Sequence, residues 1–311
     1  MSQRRRTWFL IRLAIYVAVV AVLYAVRGAP DWQAIRQFAT GRTAGDSLLT
    51  IAGADLAPWL VEPLVEHYRR DYPALAVRMN PGGTNQALED LMNRRADVAF
   101  LYRPPTAAEQ AQLRQIDGDT AVVVPVAIGA VTLISSARTD TVILDLDAIR
   151  ELLLTGQTAS CERLYVPDPN DGLWDAARLR LGAPDQAGPH VVFLADAATV
   201  ADAVANDTNA WGLVSSFTVD LARDSRLTAQ LLRGDLDAEP ARPTSANLVN
   251  GRYPLYHWLY AACRGRGGIE GAKFVTHLAS ARGQRQVRRV GAVPAQQVAR
   301  EIIITREPPG D

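Results

Sequence analysis

From Leu48 onward, short apolar runs alternate with stretches whose apolar residues recur at helical spacing. Leu48–Ala52 (LLTIA) is an apolar run bounded by Gly53, the pattern of a buried strand. In Pro58–Asp71, Leu60, Val61, Leu64, Val65 and Tyr68 share one helical face. Residues 75–79 alternate as a strand does, 80–84 (NPGGT) make a turn, 85–95 form a second amphipathic helix, and 97–102 (DVAFLY) a third strand. This β-α-β-α-β order predicts a parallel sheet, because parallel strands need crossovers long enough to hold a helix. Ligands of such sheets bind beyond the carboxyl ends of the strands. Three loops are placed there: 53–56, 81–85 and 102–105.

The alternation continues downstream. Residues 120–135 hold two β-rich runs around Pro125 and Gly129. Helices are expected over 145–154, 173–181 and 197–204, and strands over 164–167, 191–194, 208–215 and 253–262. The segment 225–250 is polar and predicts no element. Two helical patterns, 269–281 and 283–290, close the fold.

The N-terminus is of another kind. Residues 8–26 (WFLIRLAIYVAVVAVLYAV) are nearly all apolar and follow Arg4, Arg5 and Arg6. At about 1.5 Å rise per residue they come close to the ~30 Å hydrocarbon core of a bilayer. Arg12, near the cytoplasmic end, can snorkel, and the arginine cluster predicts a cytoplasmic N-terminus. The alternative is a cleaved signal peptide, but Ala25-Val26-Arg27 and Arg27-Gly28-Ala29 are poor small-x-small sites. The expectation is therefore a single-pass protein of a bacterial inner membrane with its bulk in the periplasm.

Composition narrows the chemistry. Lys+Arg and Asp+Glu balance at 33 each, so no basic face argues for nucleic acid as partner. Lys273 is the only lysine. The four histidines and two cysteines form no CxxC or clustered metal pattern, and no cofactor or metal is expected. Cys161 and Cys263 could pair as a disulfide in an oxidising compartment, or stay as buried thiols. No nucleophile–base pair or phosphate-cradling Walker loop is legible, so an enzyme is not expected.

The element order resembles the type II periplasmic binding-protein fold, and in particular the phosphate-binding proteins of ABC importers. The likeness spans roughly residues 48–300. It rests on the opening strand, loop and helix, the Gly-Gly-Thr turn, DVAFLY before Arg103-Pro104, LDLDAIRELLLTGQ, TNAWGLVS, YPLYHWLYAACRG, and the closing SARGQRQVRRVGAVP. The resemblance implies a two-lobed α/β fold, which the apolar run 8–26 would carry on one N-terminal transmembrane helix. Residues 1–28 would be cytoplasmic tip and anchor, 29–47 linker, 48–128 with 252–306 lobe 1, and 129–251 lobe 2, with hinges near 126–134 and 250–258.

Carried over by position, the ligand residues would be Asp55 and Leu56 in the first loop, Thr84 in the turn, Tyr102 and Arg103 in the third loop, and Asp171 and Gly172 in lobe 2. The family's second-lobe Ser-Gly-Thr reads Asp171-Gly172-Leu173 here, and its arginine falls near Pro167. Two hydroxyls and an arginine are lost where Asp55 and Asp171 are gained, which makes a poor seat for a dianion. Each residue also has a plainer role. Arg103 could sit in solvent, Thr84 and Asp55 could be helix N-caps, Asp171 could serve only its Asp-Gly turn, and Trp174 and Trp211 could be core. Two functions stay open. One is a receptor for phosphate or another small anion or polar ligand; the other is a degenerate binding fold serving as accessory or sensory subunit to a membrane-protein partner.

Overall fold

The computed structural model describes residues 48–118, 120–265 and 269–296. The expected membrane span (8–26) and linker (29–47) lie outside them. Among the described residues no helix is long and apolar enough to cross a membrane.

The opening is as the pattern predicts. Strands β1 (Leu48–Ala52), β2 (Ala76–Asn80) and β3 (Val98–Leu101) are parallel, with β1 in the middle. Helices α1 (Pro58–Asp71) and α2 (Gly83–Met92) make the crossovers. Because strand side chains alternate faces, Leu49, Ile51, Val98 and Phe100 join one core cluster with Leu60, Leu64 and Phe274. Ala52, Ala99 and Leu101 face the other way, onto Ala87, Leu88 and Leu91 of α2.

Helix α3 (Ala107–Asp117) has no counterpart in the apolar pattern, yet its start is written in the sequence. Thr106 and Glu109 form a capping box, each side chain bonding the other's backbone N–H.

The two β-rich runs around Pro125 prove to be one strand, β4 (Val122–Ser136). Pro125 does not break it because it sits at a bulge. The register against β11 (Tyr256–Cys263) slips between Leu259 and Tyr260, so that Tyr260 faces Pro125 and Leu259 faces Ala127. A bulge is where a sheet tolerates a residue without an N–H. Residues 122–130 of β4 pair with β11, and residues 131–135 pair with β8 (Ala210–Ser215). The strand order is β2-β1-β3-β11-β4-β8-β6-β7, with β6 (Arg163–Pro167) and β7 (Val191–Leu194) parallel to each other.

In the second half, α4 (Leu146–Thr155), α5 (Leu173–Leu181) and α6 (Ala197–Asn206) cover the sheet. Val200 and Val204 of α6 pack on Ile134 and Val214. The polar stretch 225–250 is ordered: β9 (Leu227–Ala229) pairs with β4, β10 (Leu231–Leu232) pairs with β5 (Ile143–Leu144), and α7 spans Ser245–Val249. The chain returns through β11 to α8 (Ile269–Ala279) and α9 (Ala281–Val290), and β12 (Val293–Pro294) pairs with β4.

The disulfide alternative is not realised. Cys161 lies just before β6 and Cys263 ends β11, in opposite halves, and both are free and buried. Burial pushes each thiol up to about 11.

Candidate functional site

The seven residues singled out by position do meet, where the first-half loops face the loop between β6 and α5. Leu56 and Thr84 are fully buried and Tyr102 is 2% exposed. The Thr84 hydroxyl accepts the Tyr102 N–H at 3.0 Å, and the Tyr102 hydroxyl donates to the Leu56 carbonyl. Burial, with the Asp171 carboxylate nearby, holds the Tyr102 phenol well above its ordinary range. Thr84 is therefore not an N-cap: α2 begins at Gly83, and the threonine hydroxyl is turned inward to pin β3.

Asp55 is not an N-cap either. Its carboxylate reaches across to the start of α2, accepting the Gly82 N–H at 3.1 Å on both oxygens and the Gly83 N–H at 3.2 and 3.4 Å. Free N–H groups and the dipole make a helix N-terminus an anion seat. Here the protein's own carboxylate already sits in it.

Opposite, a short 3-10 turn (Pro169–Asp171) leads into α5. Asp171 accepts the Leu173 N–H at 3.1 Å, as its Asp-Gly turn suggested. Removal from water raises its carboxyl to about 7; that N–H bond opposes the shift, while the charges of Asp55 and Asp168 add to it. At neutral pH this acid is therefore partly protonated.

The two halves touch here through glycines. A Cβ on Gly83, whose φ is +68°, would lie 2.5 Å from the Asn170 carbonyl oxygen. A Cβ on Gly172, at φ +87°, would lie 2.5 Å from the Thr84 hydroxyl. Both positions need glycine twice over, for left-handed backbone and for close approach. Asn85 adds a long hydrogen bond, 3.5 Å, to the Pro169 carbonyl.

Arg103 does not sit in solvent but is 9% exposed and ion-paired. Its guanidinium pairs with both oxygens of Glu109, at 2.8 and 2.9 Å, bonds Asn85 at 2.8 Å, and reaches Asp175 of α5 at 3.4 Å. Desolvation alone would raise Glu109, but the Arg103 and Thr106 hydrogen bonds outweigh it and hold the carboxyl low. Glu109 and Asp175 are the partners that sequence reasoning missed. The capping-box spacing was the available signal for Glu109; nothing local pointed to Asp175.

Behind the site lies a buried polar pair, also unforeseen. Ser215 Oγ and His257 Nε2 are 2.8 Å apart, and Ser215 also accepts the Phe217 N–H. Burial lowers His257 to about 3, so the ring is neutral. Serine and histidine are 0% and 3% exposed, sealed under Tyr102 and Phe217. A pair shut off in this way reaches no substrate and acts as a structural hydrogen bond. Trp174 and Trp211 are core, at 5% and 2% exposure. Among the described residues no three His, Cys, Asp or Glu side chains are placed to hold a metal ion.

A parallel sheet with an added antiparallel return strand, one strand shared between two halves, and helix-terminal loops facing each other define a binding-protein fold. The model of the PBP superfamily domain matches residues 38–282, and the chain belongs to that superfamily. Among solved structures it is similar to a Clostridium perfringens protein assigned as a phosphate ABC transporter substrate-binding protein, solved with phosphate bound (17% identity, TM-score 0.66, 80% of this chain and 100% of that one). It is also similar to an ABC-type phosphate transport receptor from Vibrio cholerae (16%, TM-score 0.60, again 80% and 100%). The reduced regulatory domain of OxyR2 from Vibrio vulnificus matches at 16% identity and TM-score 0.52, over 80% and 97% of the two chains. At these identities the likeness is one of fold. No curated protein sequence matches the chain.

Proposed function

We propose that this chain is a membrane-anchored, extracytoplasmic protein of the solute-binding fold, built as lobes 48–128 with 252–306 and 129–251. In this reading it acts as an accessory or sensory subunit of an envelope complex rather than as a phosphate carrier. The observation that supports this is the occupied anion seat: Asp55 takes both N–H groups of Gly82 and Gly83 that an oxyanion would need. Around it, Arg103 is consumed by carboxylates, and Asp171 stands where a hydroxyl would donate.

The test is titration calorimetry of the purified full-length chain with inorganic phosphate. No binding is expected up to millimolar phosphate, and Asp55→Ala, which vacates the seat, should gain weak binding. Tight phosphate binding by the unaltered chain would sink the reading. The anchor is tested separately: the chain should stay in the membrane pellet after alkaline carbonate, and removal of residues 8–26 should release it.

A second reading, a receptor for a small anion or polar ligand, is favoured by one observation. A partly protonated Asp171 can donate a hydrogen bond toward the same seat if Asp55 swings out. A small molecule retained through purification and seen by native mass spectrometry would select it.

A further inference from the structure

A second open space lies elsewhere in the fold. A cavity of about 670 Å³ lies between Trp59 at the start of α1 and the segments that leave β8 and precede α7. Thr132 and Val214, cross-strand partners in β4 and β8, line it on the part of the sheet next to the patch covered by α6, and Leu227 adds to the apolar wall. Phe217 makes ring contacts with both Tyr102 of the Asp55 site (6.4 Å) and Trp59 of the cavity wall (6.0 Å). None of the seven residues of the Asp55 site lines the cavity.

Its chemistry differs from that of an oxyanion seat. Trp59, on the cavity wall, leaves 38% of its surface exposed, so its indole is open to a ligand. Thr132 is 1% exposed, with its hydroxyl beside the Tyr253 phenol. Two arginines line the cavity. Arg223 pairs with Asp220 at 3.2 Å, while no described carboxylate pairs with Arg242, which leaves one net positive charge. A volume in the range of small-molecule sites, mostly apolar with a few convergent polar groups, is what an organic ligand needs.

We propose that this cavity is a second ligand site, for an organic monoanion with an aromatic or branched aliphatic body. The body lies against Trp59, Val214 and Leu227, and the anionic head pairs with Arg242. The site would give an accessory or sensory subunit a signal to read, and in that respect it rests on the function proposed above; its occupancy does not depend on the Asp55 seat.

The test uses 4-(trifluoromethyl)benzoate as probe, followed by ¹⁹F NMR on the purified full-length chain, with protein-free detergent as blank. Saturable one-to-one binding is expected, weakened about tenfold by Arg242→Gln and abolished by Ala222→Trp, which fills the cavity from an exposed position. The neutral 4-(trifluoromethyl)benzamide should bind at least tenfold more weakly. Asp55→Ala should leave probe binding unchanged. No saturable binding below 5 mM would overturn the proposal, as would loss of binding in Asp55→Ala or retention in Ala222→Trp. Phosphate binding by the unaltered chain would refute the proposed function and leave this site standing.

Discussion

Asp171 gives the fold a pH dependence that can be worked from its surroundings. Its carboxyl stands at about 7 in the folded chain against an ordinary 3.8, raised first by burial and then by Asp55 and Asp168. Between those two values the folded state holds a proton that the unfolded state has lost. Stability therefore falls as pH rises through this window, by at most about 1.4 kcal/mol per pH unit, and levels off above the folded value. From pH 5 to pH 8 the loss assigned to this one group is at most roughly 2.5 kcal/mol. Asp171→Asn keeps an oxygen for the Leu173 N–H and removes the titration. Urea unfolding of both proteins at pH 5, 6, 7 and 8 isolates the effect, because every other titrating group is common to the two. The stability difference should shift in favour of the variant by up to that amount as pH rises. A difference constant to within about 0.5 kcal/mol across the range would refute the placement of Asp171 as a dehydrated acid.

Three further outcomes follow from the geometry. Gly83→Ala puts a methyl 2.5 Å from the Asn170 oxygen and strains a left-handed backbone, so it should cost about 2–3 kcal/mol or part the two halves, read as a larger radius in small-angle scattering. Arg103→Ala strands Glu109, while Asp175 keeps Arg178 at 3.0 Å, and should cost about 2–4 kcal/mol in urea unfolding, mostly recovered when Glu109→Gln is added. Cys161 and Cys263, buried and held up to about 11, should resist iodoacetamide in the native chain and react once it is unfolded, with no change of midpoint on adding reductant.

What the sequence disclosed follows the range of the interactions. The parallel opening was legible because helical spacing and strand alternation are local, and the facing of three loops followed from topology alone. Pro125 misled because a proline signals a break unless a bulge excuses it, and the bulge depends on a partner strand more than 130 residues away. Helix α3 was overlooked because its apolar face is thin, although Thr106 and Glu109 announced its start. The seven candidate residues do come together in the fold, but what each bonds to was not legible. Whether Asp55 faces a ligand or the chain's own Gly82 is decided by the approach of two loops 27 positions apart, and no residue pattern encodes it.

Strand β4 also constrains how the molecule is made. Its first nine residues take most of their pairing from β11, which starts at Tyr256, with β12 adding to Ala127 and Ile128 later still, whereas its last residues pair with β8 by Ser215. As the chain is made from its N-terminus, the second half can therefore close while the open edges of β3 and β4 still wait. Until residues 256–263 arrive, the chain carries two unpaired strand edges, a template for wrong pairing with any neighbouring copy. A protein wired this way makes its late return strand the gate to solubility, so changes within β11 should lower the yield of folded chain more than their effect on the finished fold would suggest.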